Sequence, residues 1–208
     1  PITVDSSGSI SATATGVAQG IDISGNDGNV YVSTAGSIDA SGSNGAYGIH
    51  IGVYGYGNVY VDNGADISSY AGGFGGVANG IDIHTYYGDV TLDNTGDIYA
   101  YSTNGDASGI HAENDQYGDI TISNDGAITV IGGNDAYGIY VQTYGDVSVT
   151  NTGAIDVTSY GIAGNSYGIF VYTCHCDAGA VSVDNSGDIT STANGGGSAF
   201  GIYVYAYG

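Results

Sequence analysis

Cys174-His175-Cys176 places two thiols and an imidazole in three consecutive residues, the densest set of soft donors in the chain. Thiolate and imidazole together suit Cu or Zn. A closed site wants four ligands, however, and no second cysteine cluster exists to complete one. In an oxidising exterior the leading expectation is a disulfide, within the pair or across subunits, ahead of a metal and of free thiols.

Carboxylates offer a second chemistry. Asp62 and Asp93, Asp66 and Asp97, and the series Asp89, Asp119 and Asp146 recur at equivalent places of neighbouring repeats. Strand spacing would bring these like charges to about 5 Å, where a cation or a proton relieves the repulsion. Oxygen-rich turns suit Ca2+. Against it stands a plainer reading, in which the Asp residues are solvated turn positions that keep the chain soluble. No Gly-Gly-x-Gly-x-Asp nonapeptide is present. No cofactor is required on this reading, and Ca2+ is the one candidate. The histidines His50, His84, His111 and His175 share no single column. His50 and His111 fall in one register with Asp82 between them, so scattered surface histidines are expected rather than a metal or catalytic group. Acid–base work by paired Asp, as in glycoside hydrolysis, is also conceivable. With no Lys or Arg to bind an acidic polysaccharide and with very uniform repeats, the chain reads as a non-enzyme without catalytic residues.

The elements that must position these groups come from a repeat. Aligned on apolar pairs, the chain divides into units 2–29, 30–58, 59–89, 90–119, 120–146, 147–180 and 181–208. Their shared pattern is [VI]-x-[VIL]-x-N-x-G-x-I, then G-I-x-[VIA], then a turn that often reads Tyr-Gly-Asp. Self-similarity at about 30 residues marks a solenoid or a related array. Each unit holds three short stretches of period-2 alternation separated by Asn, Gly, Asp and Ser, which is strand chemistry broken by turn chemistry. Propeller blades need four strands and about 40 residues, and no strict hexapeptide period exists. The expected fold is all-β, a right-handed parallel β-helix of seven coils in one domain, with three strands per coil.

In such a coil Ile10, Ile38, Ile67, Ile98, Ile128, Ile155 and Ile189 form one inward column. Ile21, Ile49, Ile81, Ile110, Ile139, Ile169 and Ile202 form another. The Gly before each member of the second column, from Gly20 to Gly201, is expected to allow a tight corner or a positive φ. Asn63, Asn94, Asn124, Asn151 and Asn185 align at another corner, after Ser6 and Thr34, where stacked amides can satisfy one another along the axis. Outward aromatics, Tyr47, Tyr137, Tyr167 and Phe200 beside Tyr140, Phe170 and Tyr203, suggest structural stacking before a sugar-binding face.

Composition narrows the partners. Lys and Arg total 0 against 21 Asp and Glu, a formal net charge of −21. That excludes the cationic footprint of nucleic-acid binding and disfavours anionic membranes, leaving cations and neutral surfaces such as glycans. No apolar run approaches the roughly 20 residues of a membrane helix, so no membrane insertion is expected. A first residue Pro1 and no leader suggest a processed or excised segment.

The V-x-V-x-N-x-G-x-I units punctuated by Y-G-I-x-V resemble passenger regions of bacterial autotransporters and related secreted β-helical adhesins over essentially all of the chain. The resemblance implies an extracellular or cell-surface β-helix and specifies scaffold rather than activity. The chain starts in phase at Ile2 and Val4. It stops after Ile202, Val204 and Tyr207 at a place where the pattern would begin another unit, with no polar cap. The leading expectation is therefore a structural fibre subunit stacking head to tail with itself through these ends. The alternative is a piece of an adhesin passenger that binds a glycan, a host surface or a mineral.

Overall fold

A computed structural model describes residues 1–174 and 179–207, with the side chains of Cys174 and Tyr207 left aside. It is a parallel β-solenoid of seven coils with three faces. The first face carries β1 (Ile2–Ser6), the start of β4 (Val30–Gly42), the start of β6 (Val59–Ala71), β8 (Val90–Asn94), β11 (Ile120–Asn124), β14 (Val147–Asn151) and β17 (Val181–Asn185). The second carries β2 (Ile10–Ala14), the remainders of β4 and β6, β9 (Ile98–Ser102), β12 (Ile128–Gly132), β15 (Ile155–Ser159) and β18 (Ile189–Ala193). The third carries β3 (Val17–Gly25), β5 (Gly45–Val53), β7 (Val77–Thr85), β10 (Ala107–Asn114), β13 (Ala136–Thr143), β16 (Ser166–Cys174) and β19 (Ala199–Tyr207). Because β4 and β6 run unbroken round one corner, the first two faces form a single hydrogen-bonded sheet. Among the described residues no helix is long and apolar enough to cross a membrane.

Register follows the repeat. Ile2 pairs with Val30, Val59, Val90, Ile120, Val147 and Val181 in succession, and both isoleucine columns run through all seven coils. In the five inner coils their side chains are almost fully enclosed, from 0% for Ile81 and Ile139 to 2% for Ile67 and Ile98. Burying each is worth about 1.5–3 kcal/mol relative to exposure, so the core is the stabilising element and the turns follow it.

At one corner the Asn amides do two jobs. Each Nδ2 of Asn63, Asn94, Asn124 and Asn151 donates to the carbonyl two residues on and to Oδ1 of the next coil's Asn, at 2.6–2.9 Å. Thr34 joins the ladder by donating its hydroxyl to Asn63 Oδ1. A buried polar group thus costs little here, since every coil satisfies its neighbour.

The glycine column has a different cause from the one expected. None of Gly20, Gly48, Gly80, Gly109, Gly138, Gly168 and Gly201 has a positive φ; among the described glycines that is found at Gly28, Gly36, Gly75 and Gly196. A Cβ on any of the first six would instead overlap Cγ2 of the following coil's isoleucine, from Ile38 against Gly20 to Ile189 against Gly168. Gly and the Ile after it both face the interior, so the inward–outward alternation slips by one residue at this point on the third face. The glycine is a notch that seats the next coil.

Candidate functional site

The slip at the glycine turns residues 22, 50, 82, 111, 140, 170 and 203 outward in one column and residues two further on in a second. In coils two to four these columns collect His50, Asp82 and His111, and beside them His84 and Glu113. Histidines expected to be scattered are therefore gathered: three of the four surround one carboxylate. His175 lies outside the described residues.

Asp82 is 2% exposed although it points away from the core. Its Oδ2 is 2.7 Å from His50 Nδ1, and its Oδ1 is 2.7 Å from His111 Nδ1 and 3.4 Å from His84 Nε2. Asn79 Nδ2 donates to Oδ1 at 2.9 Å, while Asn79 Oδ1 finds no partner among the described residues. Glu113 closes the group, with Oε2 3.1 Å from His84 Nδ1 and Oε1 3.6 Å from His111 Nε2. A cleft lined by Val77, Asn79, Asp106, Ser108, His111, Tyr137 and Tyr140 opens alongside.

The groups titrate as a unit. Burial pushes the Asp82 carboxyl up, but hydrogen bonds from His111, His50 and His84 override it and hold the group well below the usual carboxylate range. His84 is raised to about 10, first by its hydrogen bond to Asp82 and then by that to Glu113. His111 is raised as well, its burial opposing and its bonds to Asp82 and Glu113 prevailing. Glu113 is lowered to about 2 by His111 and then His84. In a chain without Lys or Arg, imidazoles are the only side-chain cations available to a buried carboxylate.

Asp82, His84 and His111 each offer one ligand atom, and these atoms lie within 4.8 Å of one another. Sequence reading noticed the His50–Asp82–His111 register and stopped there. The missed signal is Asp82-Ile83-His84 stacked over His111-Ala112-Glu113, two acid–imidazole pairs at period 2 on adjacent strands, which must share the outward face.

The other candidates are placed as follows. Asp66 and Asp97, and Asp89, Asp119 and Asp146, each accept through Oδ1 the backbone N–H of a residue in the following coil, at 2.7–3.1 Å. They clamp corners between coils. Asp62 and Asp93 sit opposite each other in register and line a shallow groove with the stacked Tyr31 and Tyr60. Cys174 ends β16, but its side chain, His175 and Cys176 lie outside the described residues. Further along the third face Tyr137, Tyr167 and Phe200 stack at 5.1 and 5.2 Å, as do Tyr140, Phe170 and Tyr203 at 5.1 and 5.4 Å.

Comparison with protein-family models, with curated proteins and with solved structures finds no match to this chain.

Proposed function

We propose that the chain is a structural subunit of an extracellular fibre, in which copies stack head to tail so that the last coil of one seats the first coil of the next. The observation that carries this reading is Gly201. Six glycine notches are each filled by the isoleucine of the following coil, whereas at Gly201 the nearest atom to a Cβ is Ile189 Cγ2 at 3.9 Å. By the repeat, this seventh notch takes the isoleucine of a further coil, and Ile10 of a second copy has the matching side chain and register. The surrounding surfaces agree. Ile202 and Val204 are 45% and 44% exposed at one end, and Ile2 and Val17 are 37% and 50% exposed at the other. Tyr207 ends the last strand beside them.

Polar groups match across the same joint. Asn185 Nδ2 donates to Gly187 O, and its second N–H stands where every earlier ladder Asn reaches the next coil. Ser6, in register with Thr34, brings a hydroxyl to that position in a following copy. Apolar ends with unpaired strand edges are an aggregation liability unless a coil covers them. Such heterologous contacts do not close, and they generate a filament. The acidic surface keeps filaments apart laterally, and the absence of Lys and Arg removes the cleavage sites of trypsin-like proteases, a benefit outside the cell.

Cryo-electron microscopy of the full chain at high concentration is expected to show filaments with an axial repeat of about 34 Å, seven coils at the strand spacing. Gly201→Val is expected to leave the circular dichroism spectrum unchanged and to stop elongation, because it blocks the notch while its Cβ meets the existing Ile189 only at an ordinary van der Waals distance. Monomers alone at high concentration for the unaltered chain, or filaments that tolerate Gly201→Val, would overturn the proposal. A specific observation also favours a second reading, an autotransporter-like passenger that binds sugars: the aromatic slab of coils five to seven. Short rods retained by a glycan array would select it.

A further inference from the structure

We propose that Asp82, His84 and His111 bind one divalent first-row transition ion of the zinc class, with Glu113 and His50 as the supports that orient these ligands. The inference is independent of the fibre reading.

Donor chemistry sets the class of ion. Two imidazole nitrogens and one carboxylate oxygen suit Zn2+ and its neighbours, whereas Ca2+ and Mg2+ take oxygen ligands. Geometry agrees. Tetrahedral ligands about 2.0–2.1 Å from zinc lie about 3.3–3.4 Å apart, and Asp82 Oδ1 stands 3.4 Å from His84 Nε2. His111 Nδ1 is 2.7 Å from the same oxygen. That pair is joined by a proton, and it must open by about 0.6 Å to reach the tetrahedral edge when a metal replaces the proton.

The outer contacts are those of a metal site. A metal-binding imidazole usually donates its other ring nitrogen to a carboxylate, which fixes ring orientation and raises ligand basicity. Glu113 supplies this to His84 Nδ1 at 3.1 Å, leaving Nε2 turned toward Asp82, and its other oxygen lies 3.6 Å from His111 Nε2. The second oxygen of Asp82 is held by His50 at 2.7 Å. All ligands stand on β7 and β10, adjacent strands hydrogen-bonded in register, so the ion would tie coil three to coil four. With the His84 side chain 39% exposed, the fourth position faces solvent and takes water.

The test uses the full chain, stripped with chelator and titrated with ZnCl2 by calorimetry at pH 7.5. The same titration follows in a Cys174→Ser/Cys176→Ser background, which removes the competing donors. One zinc per chain is expected in both, with two imidazoles in its X-ray absorption spectrum. His84→Ala, at a half-exposed position that spares the fold, is expected to weaken binding at least about 100-fold, and Glu113→Gln about 10-fold. Circular dichroism checks that each variant folds. Binding that survives both His84→Ala and His111→Ala, binding that vanishes with the cysteines instead, or no binding at millimolar zinc would each overturn the assignment.

Discussion

The outer surface of the third face is divided between two regions that share one backbone. In coils two to four it carries His50, Asp82, His84, His111 and Glu113, a group of imidazoles paired with carboxylates. In coils five to seven the column of His50, Asp82 and His111 continues as Tyr140, Phe170 and Tyr203, and the column beside it, in register with Asn79 and Ser108, carries Tyr137, Tyr167 and Phe200, with interplanar angles of 4–10° along each column. Beneath both runs the same isoleucine column, with Ile81 and Ile139 each 0% exposed. Register and shape are set from inside, by core and notch, so the outward residues are free to carry different chemistry at each level. A solenoid can hold a titratable patch and an aromatic slab a few coils apart without altering its path.

The sharpest way to break this comparison is to attack the shared core on both sides. Ile81→Ala and Ile139→Ala each remove a buried side chain from an equivalent, enclosed place. Each is expected to cost about 3–4 kcal/mol, the transfer of the lost methyl groups plus the cavity they leave. Chemical denaturation of the two variants should give matching losses. A gap above about 1.5 kcal/mol would mean that the outer surfaces contribute to the core after all, and the separation of inside from outside would fail.

A smaller effect is expected from the aromatic region. Tyr167 stacks on Tyr137 and Phe200 and meets Phe170 and Tyr203 edge-on. Tyr167→Ala is expected to cost about 2 kcal/mol, since each aromatic pair adds about 0.5–1.5 kcal/mol beyond its buried area while the ring itself is only half-buried. The loss should not depend on salt or on pH below 9. Denaturant midpoints in 0.05 and 1 M NaCl check this, and a salt-dependent loss would show that the slab is held by charge rather than by stacking.

Much of the scaffold was legible in the sequence, because the signals that made it are local. The N-x-G-x-I phrase puts an amide and an isoleucine at fixed offsets, and stacking identical phrases sets the register. What the glycine column does was not legible, because its constraint comes from the next coil: the following isoleucine's Cγ2 and the following glycine's carbonyl oxygen together leave no room for a Cβ on Gly80 or Gly109. The polar site hid for a related reason. Reading one column at a time finds His50, Asp82 and His111, but His84 and Glu113 belong to the neighbouring column and join the group only diagonally, through side chains that lean toward Asp82. Pairwise registers are visible to alignment; a five-residue cluster spread over two columns and three coils is a property of the folded surface.

The smallest effect separates the two regions most cleanly, because it depends on pH in one and not in the other. His84 has a folded-state pKa raised from 6.5 to about 10, so its contribution is fully present below 6.5 and is lost as pH rises through about 10. Glu113 is lowered from 4.5 to about 2, so its contribution is present above 4.5 and is lost as pH falls through about 2. Their pairing is therefore complete between 4.5 and 6.5. Tyr140, in the aromatic region, is raised to about 12, by burial first and then by the Glu113 charge, and stays neutral throughout this range. Since His84 is partly exposed, solvent screening holds its share to about 1 kcal/mol, or about 2–4 °C in melting temperature for a chain of this size. In chelator, the melting temperature of the wild type minus that of His84→Gln should be widest near pH 5–6 and shrink steadily toward pH 10. The corresponding difference for Tyr167→Ala should stay flat over the same range. If both differences were flat, the His–Asp–Glu group would act by packing alone, and the two regions would differ in composition but not in kind.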